Sequence, residues 1–138
     1  MIRKTIIAIS SAVLGTLLIT SGNPVQGQEQ PKPWDVPAQY KTMKNPVAKG
    51  EASDNAGKVL YTKNCASCHG KTGLGDGVKA RALQTFPGDF SGAVYQNQTD
   101  GEHFYKTKFG RGEMPKYDGK LTDDDIWNIV NYMRSFKK

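Results

Sequence analysis

Two cysteines stand two residues apart in this 138-residue chain, in Cys65-Ala66-Ser67-Cys68, and His69 follows the second directly. That spacing suits covalent haem attachment: two thiols add to the two vinyl groups on one porphyrin edge, and the adjacent imidazole reaches the iron. A short helical turn through Cys65–His69 sets both sulfurs and the ring nitrogen at the required distances with little strain. Three other readings fit less well. A Cys65–Cys68 disulfide would close a very short loop and leave His69 unexplained. A thioredoxin-like pair needs the motif to open a helix after a βα pattern, and no strand-rich stretch precedes it. A zinc site needs a fourth ligand, and His103 is the only other histidine, with no paired spacing around it.

The first residues read as a secretory signal. Arg3 and Lys4 form a basic start, Ile6 to Ile19 an apolar stretch, and Val25-Gln26-Gly27 a small-residue cleavage site. The stretch is shorter than the roughly 20 residues that span a bilayer. An uncleaved anchor is the alternative. No cysteine lies near it, so lipid attachment there is excluded. The division expected is 1–27 signal peptide, 28–50 proline-rich arm and 51–138 haem domain, placed in the periplasm with no transmembrane span after cleavage. Export fits the motif, because thioether formation takes place outside the cytoplasm in bacteria.

A domain of this size has a modest core. A buried porphyrin supplies missing apolar surface and explains how a chain with 37% hydrophobic residues and 15 glycines folds: loops wrap a cofactor. The formal charge is +6, and removal of Arg3 and Lys4 leaves +4. Between Lys41 and Arg81 eight basic residues face three acidic ones (Glu51, Asp54 and Asp76). Such a face suits steering towards an acidic docking surface; the same charge also serves plain solubility. Nothing resembles a nucleic-acid-binding motif.

Pro31, Pro33, Pro37 and Pro46 make residues 28–50 an extended arm. Trp34 and Tyr40 are large for a free tail and are expected to pack onto the domain or a partner. A first helix is expected from about Asp54 to Asn64, capped by Ser53 or Asp54. Gly57 inside it hints at a close helix approach, since glycine there costs about 1 kcal/mol against alanine. Residues 70–77 are glycine-rich loop, a short helix covers Val78 to Leu83, and Pro87-Gly88-Asp89 is a turn. Thr99-Asp100-Gly101-Glu102 has the form of a capping box opening a helix that Gly110-Arg111-Gly112 stops. The last helix is clearest: Thr122 caps it, Asp123, Asp124 and Asp125 favour its first turn, and Ile126, Ile129, Val130 and Met133 form one apolar stripe. No segment alternates as a strand does. The fold is all-α.

What sits opposite His69 separates a carrier from a catalyst, and Met43, Met114, Met133, His103 or nothing could fill that place. Met133 belongs to the apolar stripe, Met43 to the arm, and His103 is expected to be exposed or partner-facing. Met114 lies in a loop between helices, where Gly110 and Gly112 let the backbone turn close to the porphyrin and Pro115 stiffens the chain. Its thioether is a soft neutral donor that favours ferrous iron and raises the potential. The expected ligands are therefore His69 and Met114.

Residues 51–138 resemble a class I cytochrome c of the small bacterial monohaem type. The pieces that carry this are Gly57-Lys58-Val59-Leu60-Tyr61 leading into Cys65–His69, the Gly73–Gly77 loop, the Thr99–Phe109 helix, Gly110–Pro115, and Ile126–Tyr132. The resemblance implies three to five short helices around one haem c held by Cys65 and Cys68, with axial bonds from His69 and Met114. It implies that the first and last helices cross near Gly57 and Tyr61 on one side and Ile129 and Tyr132 on the other. Many relatives carry proline after the glycine loop, where this chain has Val78. The carbonyl that orients His69 is thereby left open, with Pro87 a candidate. The function implied is an exported one-electron carrier, not an enzyme, working as a monomer between a redox donor and acceptor such as a membrane reductase and a terminal oxidase. Two alternatives stand beside it: an electron-entry subunit of a larger complex, docking through the arm around Trp34, and a haem sensor or enzyme with an open sixth position.

Overall fold

The computed structural model describes residues 27–138, so the expected export signal, save Gly27, lies outside the described residues. Within them the order is α1 (Ala38–Lys41), α2 (Glu51–Asn64), α3 (Ala66–His69), a 3-10 turn (Ala80–Ala82), α4 (Ala93–Gln96), α5 (Asp100–Phe109) and α6 (Asp123–Arg134). Four of these are single turns, so α2, α5 and α6 carry the architecture. Among the described residues there are isolated bridges but no strand, and no helix is long and apolar enough to cross a membrane.

Helices α2 and α6 cross at Gly57. A side chain there would fall on the Asn128 carbonyl and the Tyr132 Cβ, so the glycine is what lets the backbones meet. One turn on, Tyr61 packs edge-on against Tyr132 and Phe136, with ring centroids 5.5 and 5.2 Å apart. The α6 stripe faces this crossing: Ile126, Ile129, Val130 and Met133 are all buried, and each aliphatic side chain so placed contributes about 1.5–3 kcal/mol. Phe104 of α5 stacks on Trp127 at 4.1 Å.

Both expected caps are present as capping boxes. Thr99 accepts from the Glu102 amide while Glu102 accepts from the Thr99 amide, and Thr122 and Asp125 repeat the exchange. The start of α2 differs from expectation. It begins at Glu51 after Gly50, with no side-chain cap, because the Ser53 hydroxyl is turned inward to accept from Asn131 at 2.8 Å. The expected turn at Pro87–Asp89 is irregular chain; the turn falls one step later, where the Asp89 carboxylate accepts from the Ser91 amide and hydroxyl at 2.8 and 2.6 Å. Single-turn α1 and α4 had no sequence signal strong enough to place them.

The arm is docked. Gln28 donates to the Ala80 and Leu83 carbonyls, Glu29 bridges Thr85, and Val36 is buried. Further on, Tyr40 rests on Phe104, Tyr105 and Phe109. The close approach of α1 to α5 needs Gly101, where a Cβ would meet the Tyr40 carbonyl.

Candidate haem-binding site

Helix α2 ends by delivering the motif. The Cys65 amide donates to the Tyr61 carbonyl at 2.8 Å, and the His69 amide to Cys65 at 3.0 Å, which closes the expected helical turn. The Tyr61 hydroxyl, fully buried, donates to the Gly70 carbonyl at 2.8 Å and fixes the exit. The glycine loop then folds back over the motif: Gly75 donates to the His69 carbonyl at 2.9 Å and Gly77 to that of Cys68 at 3.2 Å. A Cβ at Gly77 would strike the Ser67 carbonyl.

In front of the motif lies a cavity of about 710 Å³, inside the roughly 300–1,000 Å³ span of small-molecule and cofactor sites. Cys65, His69, Pro87, Phe90, Met114 and Ile129 are among the residues on its wall. Both thiols are free and half-buried. Burial first, then the neighbouring Cys68, pushes the Cys65 thiol up to about 12. A thioredoxin-type nucleophile needs the opposite shift, so the redox-pair reading loses its chemistry. Among the described residues no group of three or more His, Cys, Asp or Glu side chains gathers, which leaves the zinc reading without a ligand set.

Burial pushes His69 down to about 4, opposed by the Pro87 carbonyl. The ring is therefore neutral at pH 7, the form that binds metals. Its Nδ1 is buried without a partner of full hydrogen-bond geometry; the backbone group acting on the ring is Pro87. Val78, 92% exposed, is remote from any such role.

The methionines separate cleanly. Met43 packs against the core and is not on the cavity wall. Met133 reaches the cavity, but its sulfur accepts from the Tyr95 hydroxyl at 3.1 Å. Met114 lies half-buried on the wall, in a tight hairpin where Arg111 and Met114 exchange both backbone hydrogen bonds at 2.9 and 3.0 Å. Gly110 and Gly112 hold φ of 60° and 57°, the left-handed conformation that side chains resist.

His103 requires a correction. It was expected at the surface, but it is 2% exposed, on the cavity wall, and stacked on Tyr95 at 3.9 Å. The reason is position: α5 packs its Gly101, His103, Phe104 and Thr107 inward. Burial, Arg134 and Lys106 push the ring down to about 3, and its Nε2 has no partner. Sequence reasoning also passed over Phe90 and Tyr95, which stack between His69 and His103 at 4.5, 4.3 and 3.9 Å.

One cavity whose wall holds the Cys65 thiol, a neutral imidazole, a thioether and unpaired buried ring nitrogens, with the second thiol of the motif three residues on at Cys68, suits haem. The comparisons agree. The family model described as cytochrome c oxidase, cbb3-type, subunit III matches residues 52–133. Cytochrome c6 of Diacronema lutheri is 36% identical over 85 residues, 57% of this chain and 90% of that protein. Cytochrome c6 of Chlorolobion braunii is 33% identical over 92 residues, 60% of this chain and 90% of that one. The solved c-type cytochrome KustC0563 superposes with a TM-score of 0.52 at 28% identity, over 59% of this chain and 98% of that chain. A chain of the Kuenenia stuttgartiensis reducing HAO-like protein complex gives a TM-score of 0.61 at 26% identity, over 67% of this chain but only 47% of that one. The chain belongs to this family of class I c-type cytochromes and carries haem c bound covalently through Cys65 and Cys68.

Proposed function

We propose that this monohaem protein is an exported one-electron carrier with His69 and Met114 as its axial ligands, moving electrons between a donor and an acceptor protein in the periplasm. Haem c supplies the Fe(III)/Fe(II) couple. The observation that carries the reading is the single cavity whose wall holds Cys65, His69 and Met114 together, with His69 kept neutral by burial. Two strong-field protein ligands leave no coordination place for a substrate, so the chain's residues hold the iron and exclude other chemistry. The cytochrome c6 relatives support a carrier over an enzyme.

Met114→Ala in the holoprotein is expected to abolish the ferric sulfur-to-iron charge-transfer band, lower the potential, and open the reduced protein to rapid carbon monoxide binding. An unchanged band would remove Met114 from the ligand set.

The similarity to a chain of a HAO-like complex favours a second reading, a haem subunit that feeds electrons into a larger assembly. Co-purification of the tagged holoprotein from its own membranes separates the two: a stoichiometric partner supports the subunit, a free monomer the carrier.

A further inference from the structure

The arm lies outside the family match, yet it is tied to the loop that carries Met114. Arg111, three residues before Met114, donates from Nη1 to the Pro33 carbonyl at 2.9 Å and from Nη2 to the Lys32 carbonyl at 2.8 Å. Its guanidinium lies 4.3 Å over the Trp34 ring. Because Arg111 and Met114 close one hairpin, moving the first moves the second. On the other flank, the Glu113 carboxylate accepts from the Gln84 amide at 3.0 Å and the Thr85 amide at 3.1 Å. Those residues are paired in turn with the arm, Glu29 donating to the Gln84 carbonyl and accepting from the Phe86 amide, both at 2.9 Å. Arm, 84–86 segment and Met114 loop thus form one closed belt at the cavity, whose wall includes Trp34, Phe86 and Met114.

We infer that residues 29–34 are a strap that positions Met114, with Arg111 and Trp34 as positioning residues. This rests on Met114 being the sixth ligand. The loop needs such help: Gly110 and Gly112 make it easy to bend and give it little stiffness of its own. Arg111 is exposed on its outer side, so its charge is screened. The grip comes from the planar fork matched to two carbonyls and from stacking on an aromatic face, neither of which lysine or glutamine reproduces. Trp34, expected to pack onto the domain or a partner, is held against the protein's own loop.

The test reads how often Met114 leaves the iron, as the carbon monoxide association rate of reduced holoprotein, together with the ferric sulfur-to-iron band. Arg111→Gln and Trp34→Ala are expected to raise the rate roughly tenfold or more, the scale of one charge-assisted hydrogen bond, and to weaken the band. Trp34→Phe, which keeps an aromatic face, stays near wild type. Ser53→Ala serves as the stability control: it removes the buried bond to Asn131 without touching the belt, so it lowers the melting temperature and leaves the rate unchanged. Should Arg111→Gln fail to accumulate, Trp34→Ala carries the test, since it substitutes no residue of the Met114 loop itself. Wild-type rates and bands in both variants, with the band lost in Met114→Ala, overturn the strap and leave the ligand standing. A band that survives Met114→Ala overturns both.

Discussion

Asn131 on α6 donates to the Ser53 hydroxyl on α2 at 2.8 Å, deep in the helix crossing. The same amide donates to the Val47 carbonyl at 3.2 Å and accepts from Asn45 at 2.8 Å. One buried side chain therefore ties both long helices to the end of the arm. Asn131→Leu removes all three bonds and takes their donor from the Ser53 hydroxyl and the Val47 carbonyl, while Asn45 keeps the Trp127 carbonyl at 3.4 Å. Each buried group left unpaired costs about 1–3 kcal/mol, so this substitution is expected to cost more than Ser53→Ala. Chemical denaturation of the two holoproteins gives the comparison; equal losses would mean that Asn131 acts through Ser53 alone.

Gly57 is placed in conflict between propensity and packing. Alanine gains about 1 kcal/mol in a helix interior. Against that, its Cβ meets the Asn128 backbone and Tyr132, which cannot swing aside as a flexible side chain would, and overpacking of this kind costs about 1–3 kcal/mol. Packing wins, and Gly57→Ala should lower the denaturation midpoint. A rise would mean that the helices separate at little cost.

His103 gives the protein an acid-sensitive point. Burial pushes its folded value down to about 3 from the usual 6.5, with Arg134 of α6 and Lys106 of its own helix adding positive charge and the Tyr95 backbone on α4 opposing them. Above pH 6.5 both folded and unfolded states hold it neutral and it contributes no pH dependence. As pH falls below 6.5 only the unfolded state takes the proton, so stability is lost, at up to about 1.4 kcal/mol per pH unit, until about pH 3. His103→Leu should flatten the stability profile of the holoprotein across that window by up to one proton. An unaltered slope would show that the ring takes up its proton alike in the folded and unfolded states.

The parts legible in the sequence are those whose physics is local. The Cys65–His69 turn, the Thr99 and Thr122 caps and the α6 stripe each depend on residues within one or two turns of chain. Gly57 was legible because glycine inside a helix demands a reason. The misjudged parts depend on distant partners. Ser53 caps nothing because Asn131 reaches it, and His103 is buried because α5 turns it against Tyr95 and the cavity. Arg111 looked like part of a loop stop, and only the folded arm reveals the two carbonyls it grips. Arg134 likewise binds Asp100 and the Gln96 and Gln98 carbonyls, a junction no spacing announces.

Met133 and Met114 share one cavity wall, and chemistry distinguishes them. The Met133 sulfur is engaged by the Tyr95 hydroxyl, and its side chain is buried with Ile129 and Val130. Its role is therefore volume and a weak hydrogen bond. Met133→Leu conserves most of that volume and is expected to cost less than about 1.5 kcal/mol, leaving the ferric sulfur-to-iron band intact. Tyr95 loses its acceptor, so Tyr95→Phe combined with Met133→Leu should cost less than the two single changes added together. Loss of the band in Met133→Leu, with its retention in Met114→Ala, would exchange the roles of the two methionines and take the Arg111 strap out of the account of iron ligation.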